Sequence, residues 1–428
     1  TVLNDIFSAL NISRRGLHTK TYQDYVKLKM NPAARVIDDC ASTVKTVYSE
    51  LNYGNPGNIA VSFDGTWLTR GHSSHICVGT VIELFTGYVL DFVVLSNFCL
   101  GCQLGLKEDN PRYAEWLAGH TCQKNTFSKP GQMEVEAAQI LFGRSLERHG
   151  LRYTTMLCDG DSRAFNSLQE AQVYGFVPIE KEDCVNHVHK RMGTALRNLL
   201  QKQRAEGKPS LGGKGKLTGE LVTKLTSYYG WALQSNQGSI EAMNNAVWAT
   251  FYHVASTDAS PQHSHCPTGE ESWCKYNKAV AKQETPPNHR YNLPEYVVDA
   301  LRPIYTHLSD KKLLKRCQRG KTQNPNESLH SVIWSLVSKN KHASLFTVEA
   351  AVAEAVARFN AGKGRADAAI LKKLHLQQSV VAAEKCSEKD SRRLVASEKK
   401  HEHAENFKHA MKRKRTKEND DDYIPGGF

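Results

Sequence analysis

The chain has 428 residues, with 56 Lys and Arg against 44 Asp and Glu, a formal net charge of +12 and a pI near 9.1. Apolar residues make up 40% and charged residues 23%, a globular composition that excludes wholesale disorder; the length fits two to three domains of about 150 residues each. The basic balance points to a polyanionic partner, with nucleic acid ahead of a membrane surface. No apolar run approaches the roughly 18 residues that a membrane span needs.

Eleven Cys are too dilute for a disulfide scaffold. Their C-x2-C spacing and nearby His favour a reducing compartment and some metal binding, so nucleus or cytosol stands ahead of secretion. No secretory signal is visible at the N-terminus. A start at Thr1 rather than Met fits a fragment from which a leading domain is missing.

In chain order, residues 1–58 read as helical. Two apolar-periodic segments flank an Asn/Ser break, which fits either a DNA-binding helix-turn-helix or an ordinary helical extension. Turn residues over 52–58 end this part. Residues 59–67, 75–84 and 88–96 read as three strands. They follow one another without a helix and share a tight turn, so an antiparallel meander is expected. Residues 98–130 form an irregular insertion bearing Cys and His. Residues 132–150 carry a helical stripe, 152–162 a strand ending in a turn, and 163–174 a helix. Residues 175–183 read as a further strand and 184–206 as a long basic helix. This order, β-β-β-α-β-α-β-α, matches a ribonuclease-H-like fold: a mixed five-stranded sheet with flanking helices.

Residues 207–320 read as a mostly α-helical insertion that separates the first part of this core, 59–206, from its last part, 321–378. A polar tail, 379–428, carries Lys412 to Arg415 as a basic run fit for nuclear import.

Three carboxylates stand out. Asp64 interrupts an apolar strand, where a carboxylate must be solvated, paired or metal-bound. Asp159 ends a strand beside Gly160, where α/β sheets expose functional side chains. Glu327 opens a helix after an Asn-Pro break. Plainer readings exist for each: strand-end turn chemistry for Asp64, a turn pair for Asp159 with Asp161, and a helix cap for Glu327. Either aspartate of that turn pair fits a ligand role, and Asp159 is the better placed. Converging carboxylates repel unless cations lie between them, and two Mg²⁺ (or Mn²⁺) ions would bind them and clamp a phosphodiester.

Four separated segments then carry a family likeness: "SFDGTWLTRGHSSHICVGTVIELFTGYVLDFVVLSNFCLGC", "CDGDSRAF", "CVNHVHKRMGTALR" and "TQNPNESLHSVIW". Together, in this order, they resemble a Mutator-like DNA transposase domain over roughly residues 1–360. The resemblance implies a ribonuclease-H-like core with an Asp-Asp-Glu triad, matched by Asp64, Asp159 and Glu327, and a helical insertion before the Glu. It also implies a Cys-x2-His motif, here Cys184 and His187. One helical turn would put both on one side, bracing the active site or touching DNA. DNA at element ends and at a target, and a homo-oligomer that pairs two ends, are implied as partners; neither membrane nor small-molecule substrate is.

Two Cys/His clusters offer soft ligands. Cys99, Cys102, His120 and Cys122 would staple the 98–130 insertion around zinc. His263, Cys266 and Cys274, with His265 beside them and Cys317 near, form a second candidate. Reduced, unligated thiols are the alternative for the first cluster, and a surface loop rich in His by chance for the second.

Residues 190–224 contain nine Lys/Arg and 311–321 six more. Lys190, Arg191, Arg197, Lys202, Arg204, Lys315, Arg316 and Arg319 are candidates for tracking phosphates, against the plain reading of a solvated helix face. Trp231, Trp248 and Trp273 fit either base stacking or core packing. The expected activity is metal-dependent DNA hydrolysis and strand transfer. A catalytically silent, domesticated DNA-binding protein and a nuclease acting on RNA–DNA hybrids are the alternatives.

Overall fold

The computed structural model describes residues 19–50, 55–69, 73–160, 162–337, 339 and 343–373, with scattered positions between 377 and 395. The first eighteen residues, Asp161 and the Lys412–Arg415 run lie outside the described residues. Elements follow in the order α1 (Thr19–Glu50), β1 (Asn58–Trp67), β2 (Ile76–Glu83), β3 (Val89–Ser96), α2 (Leu100–Leu104), α3 (Tyr113–Gly119), α4 (Pro130–His149), β4 (Arg152–Cys158), α5 (Arg163–Glu170) and β5 (Glu180–Asp183). Then come α6 (Val185–Ala205), α7 (Gly219–Ser235), α8 (Ile240–Ala255), α9 (Lys275–Ala281), α10 (Glu295–Leu308), α11 (Lys311–Cys317), α12 (Asn324–Leu336), α13 (Leu345–Ala361) and α14 (Lys363–Lys373). The five strands form one mixed sheet in the order β3-β2-β1-β4-β5.

Packing divides the described chain into two units. One lies within 1–156, 161–180 and 324–394, the other within 157–160, 181–323 and 395–428. In the first, β1, β2 and β3 make the expected antiparallel meander, with Asp64 opposite Thr80 and Gly79 opposite both Gly65 and Val93. Every residue of β2 is buried, because both faces of this strand are covered. Its even-numbered positions, Ile76, Val78 and Ile82, join Ile37 of α1, Leu329 and Ile333 of α12, and Val348, Val352 and Val356 of α13 in one core. The odd-numbered Gly79 faces α4, where a Cβ would come within 2.7 Å of Ala137. Helix and strand therefore meet backbone to methyl at that point.

The hairpin between β2 and β3 closes on a buried carboxylate. Glu83 accepts from the Phe85 and Thr86 amides, the Thr86 hydroxyl and the Tyr48 hydroxyl at 2.5–2.8 Å. Four donors offset the desolvation of a charge that would otherwise be costly to bury.

The second unit is helical apart from β5. Val188, Met192 and Leu196 of α6, Leu225 and Tyr229 of α7, Phe251 of α8 and Tyr305 of α10 share its core. Trp231, Trp248 and Trp273 pack against that core, the plainer of their two readings. A Cβ at Gly193 of α6 would lie 2.7 Å from Thr226 Oγ1 of α7, so this glycine sets how closely the two helices cross.

One local expectation is corrected. The strand over 175–183 shortens to Glu180–Asp183, because 171–175 turns through positive φ at Gln172 and Gly175. Cys184 is the N-cap of α6, and its carbonyl accepts from the amides of both His187 and Val188 at 3.0 Å, which closes the first turn of the helix. Among the described residues no helix is long and apolar enough to cross a membrane.

Candidate functional site

Asp64 lies on β1, on the face covered by α12 rather than the face covered by α4. Phe63 and Gly65 take the other side: the Phe63 ring meets Phe142 of α4 edge-on, and Glu134 of α4 stands over Gly65, where a Cβ would come within 2.9 Å of its side chain. This is the period-2 alternation of a strand. The Asp64 side chain keeps about a quarter of its surface exposed, so the carboxylate opens to solvent.

Helix α12 is tied to the meander by one stripe of side chains, four residues apart. Asn326 donates to the Thr80 hydroxyl at 3.4 Å, His330 Nε2 meets the same hydroxyl at 3.3 Å, and Trp334 Nε1 donates to Thr66 Oγ1 at 2.8 Å. The Thr80 hydroxyl in turn donates to the Asp64 carbonyl at 3.3 Å. Residues at i, i+4 and i+8 share a helix face, which is why one helix can make all three ties. Glu327 follows Asn326 directly and is exposed at the solvent edge of this stripe, in the first turn of the helix.

His330 Nδ1 lies 3.7 Å from Asp64 Oδ2. Burial, reinforced by Lys339, pushes His330 down from 6.5 to about 4. At neutral pH the ring is therefore uncharged, and its contact with Asp64 is that of a neutral imidazole beside a carboxylate, not an ion pair. Cys77, opposite Trp67, is held well above its usual range by burial first and then by the carboxylates of Glu134, Asp64 and Glu136. Among the described residues, the groups of three or more ligating side chains that lie close enough together to hold a metal ion are the two Cys/His clusters, and Asp64 is in neither.

In the second unit Asp159 follows β4, half-buried, and Gly160 lies beneath Arg191, where any Cβ would collide with the guanidinium. Asp183 is buried and balanced by Arg316 at 3.1 Å, Lys181 at 3.5 Å and Arg191 at 3.7 Å. Arg319 pairs with Glu182. Three of the candidate phosphate contacts, Arg191, Arg316 and Arg319, thus already neutralise carboxylates within the chain. Lys190, Arg197, Lys202 and Arg204 are exposed along α6, and Lys315 is exposed on α11. Cys184 is buried, its sulfur accepting from the Gln323 amide at 3.4 Å; His187 is half-buried.

Both Cys/His clusters assemble. Cys99, Cys102, His120 and Cys122 present ligand atoms all within 4.8 Å of one another. His120 Nε2 lies 3.4 Å from Cys99 Sγ and 3.1 Å from Cys102 Sγ, and Cys102 Sγ lies 3.5 Å from Cys122 Sγ. Gly101 admits the imidazole: a Cβ there would lie 2.5 Å from His120 Cε1. Burial raises the Cys99 thiol, but amide donors from Gln123, Cys102 and Gly101 outweigh it and bring the group down to about 6.

The second group is His253, His263, Cys266 and Cys274. His253 replaces His265, whose ring stacks on Tyr252 and whose Nδ1 meets Asn245 Oδ1 at 3.1 Å. Cys317 sits in the apolar core of the unit and takes no part. His330, Thr80 and His253 were missed from the sequence. The Glu327-x2-His330 spacing was a usable signal for His330; His253, inside an apolar helix, gave none.

A family model described as Mutator-like transposase matches residues 1–274. No curated protein and no solved structure matches the chain.

Proposed function

The chain belongs to the Mutator-like transposase family, and from that premise we propose that it cuts DNA at element ends and joins the freed 3′-hydroxyl to target DNA on a ribonuclease-H-like core. Transposase membership implies a DNA-processing role and divalent metal use; the named residues are our reading. Asp64, Asp159 and Glu327 are the triad, with Asp161 beside it and Cys184 and His187 as support. The observation that carries this reading is the tie between the helix bearing Glu327 and the strand bearing Asp64, through Asn326, His330 and Trp334.

When bound, Mg²⁺ or Mn²⁺ would lower the pKa of an attacking water or 3′-hydroxyl and offset charge on the leaving oxygen. Asp64, Asp159 and Glu327 would hold the ions. His330, neutral and buried, packs beside Asp64 without adding a competing positive charge. The exposed α6 cations Lys190, Arg197, Lys202 and Arg204, with Lys315, would track the phosphate backbone. Cys99, Cys102, His120 and Cys122 would hold a structural zinc. The nucleus is the expected compartment, and two copies would pair the two element ends.

The test is strand transfer of an oligonucleotide with a free 3′-hydroxyl into plasmid DNA with Mg²⁺ or Mn²⁺. Asp64→Asn should lower it at least about a hundredfold while duplex binding stays unchanged. Full activity in that variant would remove the triad assignment. Cleavage of RNA–DNA hybrids with duplex DNA left intact would favour a nuclease instead.

A further inference from the structure

The second unit contains a buried Cys2His2 group that the phosphodiester chemistry does not use. Helix α8 delivers His253 from its last turn, the loop that follows delivers His263 and Cys266, and Cys274 caps α9. His263, Cys266 and Cys274 are at most 7% exposed. Cys274 Sγ lies 3.4 Å and Cys266 Sγ 3.7 Å from His263 Nδ1, and Cys266 Sγ lies 3.8 Å from His253 Nδ1. Tetrahedral zinc, with bonds of about 2.3 Å to sulfur and about 2.0–2.1 Å to nitrogen, sets a sulfur-to-nitrogen edge of about 3.5 Å. The group has that size without adjustment.

An outer hydrogen-bond chain orients the His263 ring. His263 Nε2 lies 2.9 Å from His289 Nε2, and His289 Nδ1 lies 2.9 Å from Asp258 Oδ1. In the tautomer where His289 donates to Asp258 from Nδ1 and accepts at Nε2, His263 donates to it from its own Nε2. That leaves His263 Nδ1 one lone pair, facing two thiols. A cation at the centre meets both sulfurs and both ring nitrogens at once. An imidazole ligand whose other nitrogen donates into a chain ending on a carboxylate is the usual outer arrangement of a zinc histidine.

The loop is shaped for this before any ligand enters. Asn277 Nδ2 lies 3.0–3.2 Å from the carbonyls of His263, Cys266 and Pro267 and shares its two hydrogens among them, so one side chain gathers the ligand-bearing turn. Tyr276 stacks on His263 at 4.4 Å, and Trp273 meets the His253 ring edge-on at 5.2 Å. Aromatic rings thus flank both histidines. Two thiolates and two neutral imidazoles around Zn²⁺ carry no net charge, which suits burial; a hard cation such as Mg²⁺ finds no oxygen ligand here.

We infer that His253, His263, Cys266 and Cys274 hold a structural zinc ion, with His289 and Asp258 as its outer relay, and that this ion joins the end of α8 to the start of α9. The inference is independent of the strand-transfer reading, because metal content and not activity reports on it.

The experiment is zinc quantification on the full chain purified without added metal. Cys274→Ser and His253→Ala should each lose one zinc per chain relative to the unaltered protein, and His265→Ala and Cys317→Ser none. His289→Ala should keep the stoichiometry but weaken zinc affinity about tenfold to a hundredfold in competition with a chromophoric chelator. A Cys102→Ser/Cys122→Ser protein, in which this is the one Cys/His group left intact among the described residues, should take up Co²⁺ with the absorption of a tetrahedral thiolate site. That readout remains if the single ligand variants fail to fold. Unchanged zinc in Cys274→Ser and His253→Ala, a disulfide between Cys266 and Cys274, or no tetrahedral Co²⁺ spectrum would each overturn the inference.

Discussion

His149 shows how much a single buried side chain can decide. It ends α4, is 4% exposed, and neither ring nitrogen has a hydrogen-bond partner among the described residues. Burial lowers its pKa below 6.5; Asp91 opposes the shift and Arg148 adds to it. Below pH 6.5 the unfolded chain therefore binds a proton at His149 that the folded chain resists. The stability from a neutral His149 is complete above pH 6.5 and declines as the pH falls toward the folded pKa, by at most about 1.4 kcal/mol per pH unit. Urea midpoints should accordingly fall less between pH 7 and pH 5 in His149→Leu than in the unaltered chain. Parallel curves would show that His149 does not drive the acid loss.

Helix α12 is the element on which the proposed chemistry turns. Its buried stripe makes the polar ties to β1 and β2, while Leu329 and Ile333 fill the core beneath it. A polar tie aims the helix, whereas apolar burial alone would leave it free to slide. Removing the Trp334 bond with Trp334→Phe should cost about 1 kcal/mol of stability. It should also lower strand transfer with duplex affinity unchanged, because Glu327 sits at the other end of the same helix. Ser335→Ala, on the exposed side of that turn, serves as control and should alter neither. Strand transfer at the full rate in a measurably destabilised Trp334→Phe would separate this helix from the chemistry.

For the whole molecule, a net charge of +12 is not spread evenly in function. Arg191, Lys181 and Arg316 are committed to the buried Asp183. Lys190, Arg197 and Arg204 recur every seven residues along the exposed side of α6, opposite Val188, Met192 and Leu196. Each phosphate contact releases counterions, so each contributes nearly one unit to the slope of log affinity against log salt. Replacing Lys190, Arg197 and Arg204 together by Ala should flatten that slope by about 2–3 units for duplex DNA. An unchanged slope would move the DNA path off α6. Arg316→Ala should instead show as lost stability, because it strips a partner from a buried carboxylate.

Local pattern was enough for the meander, for α4 and α6, for the helix after Asn324, and for the strand-borne carboxylate at Asp64. Alternation, turn residues and helical periodicity act over a few residues and are written directly in the chain. The knuckle at Cys99, Cys102, His120 and Cys122 was legible for the same reason, its ligands lying within 24 residues. Long-range packing decided the rest. His330 reads as one more helical histidine until α12 is laid across Thr80, and His253 as a core residue until the loop folds back with Cys266 and Cys274. Arg316 reads as surface charge until it meets Asp183. Their roles depend on partners dozens to hundreds of residues away, brought near by burial of apolar faces that carry no label of which face meets which.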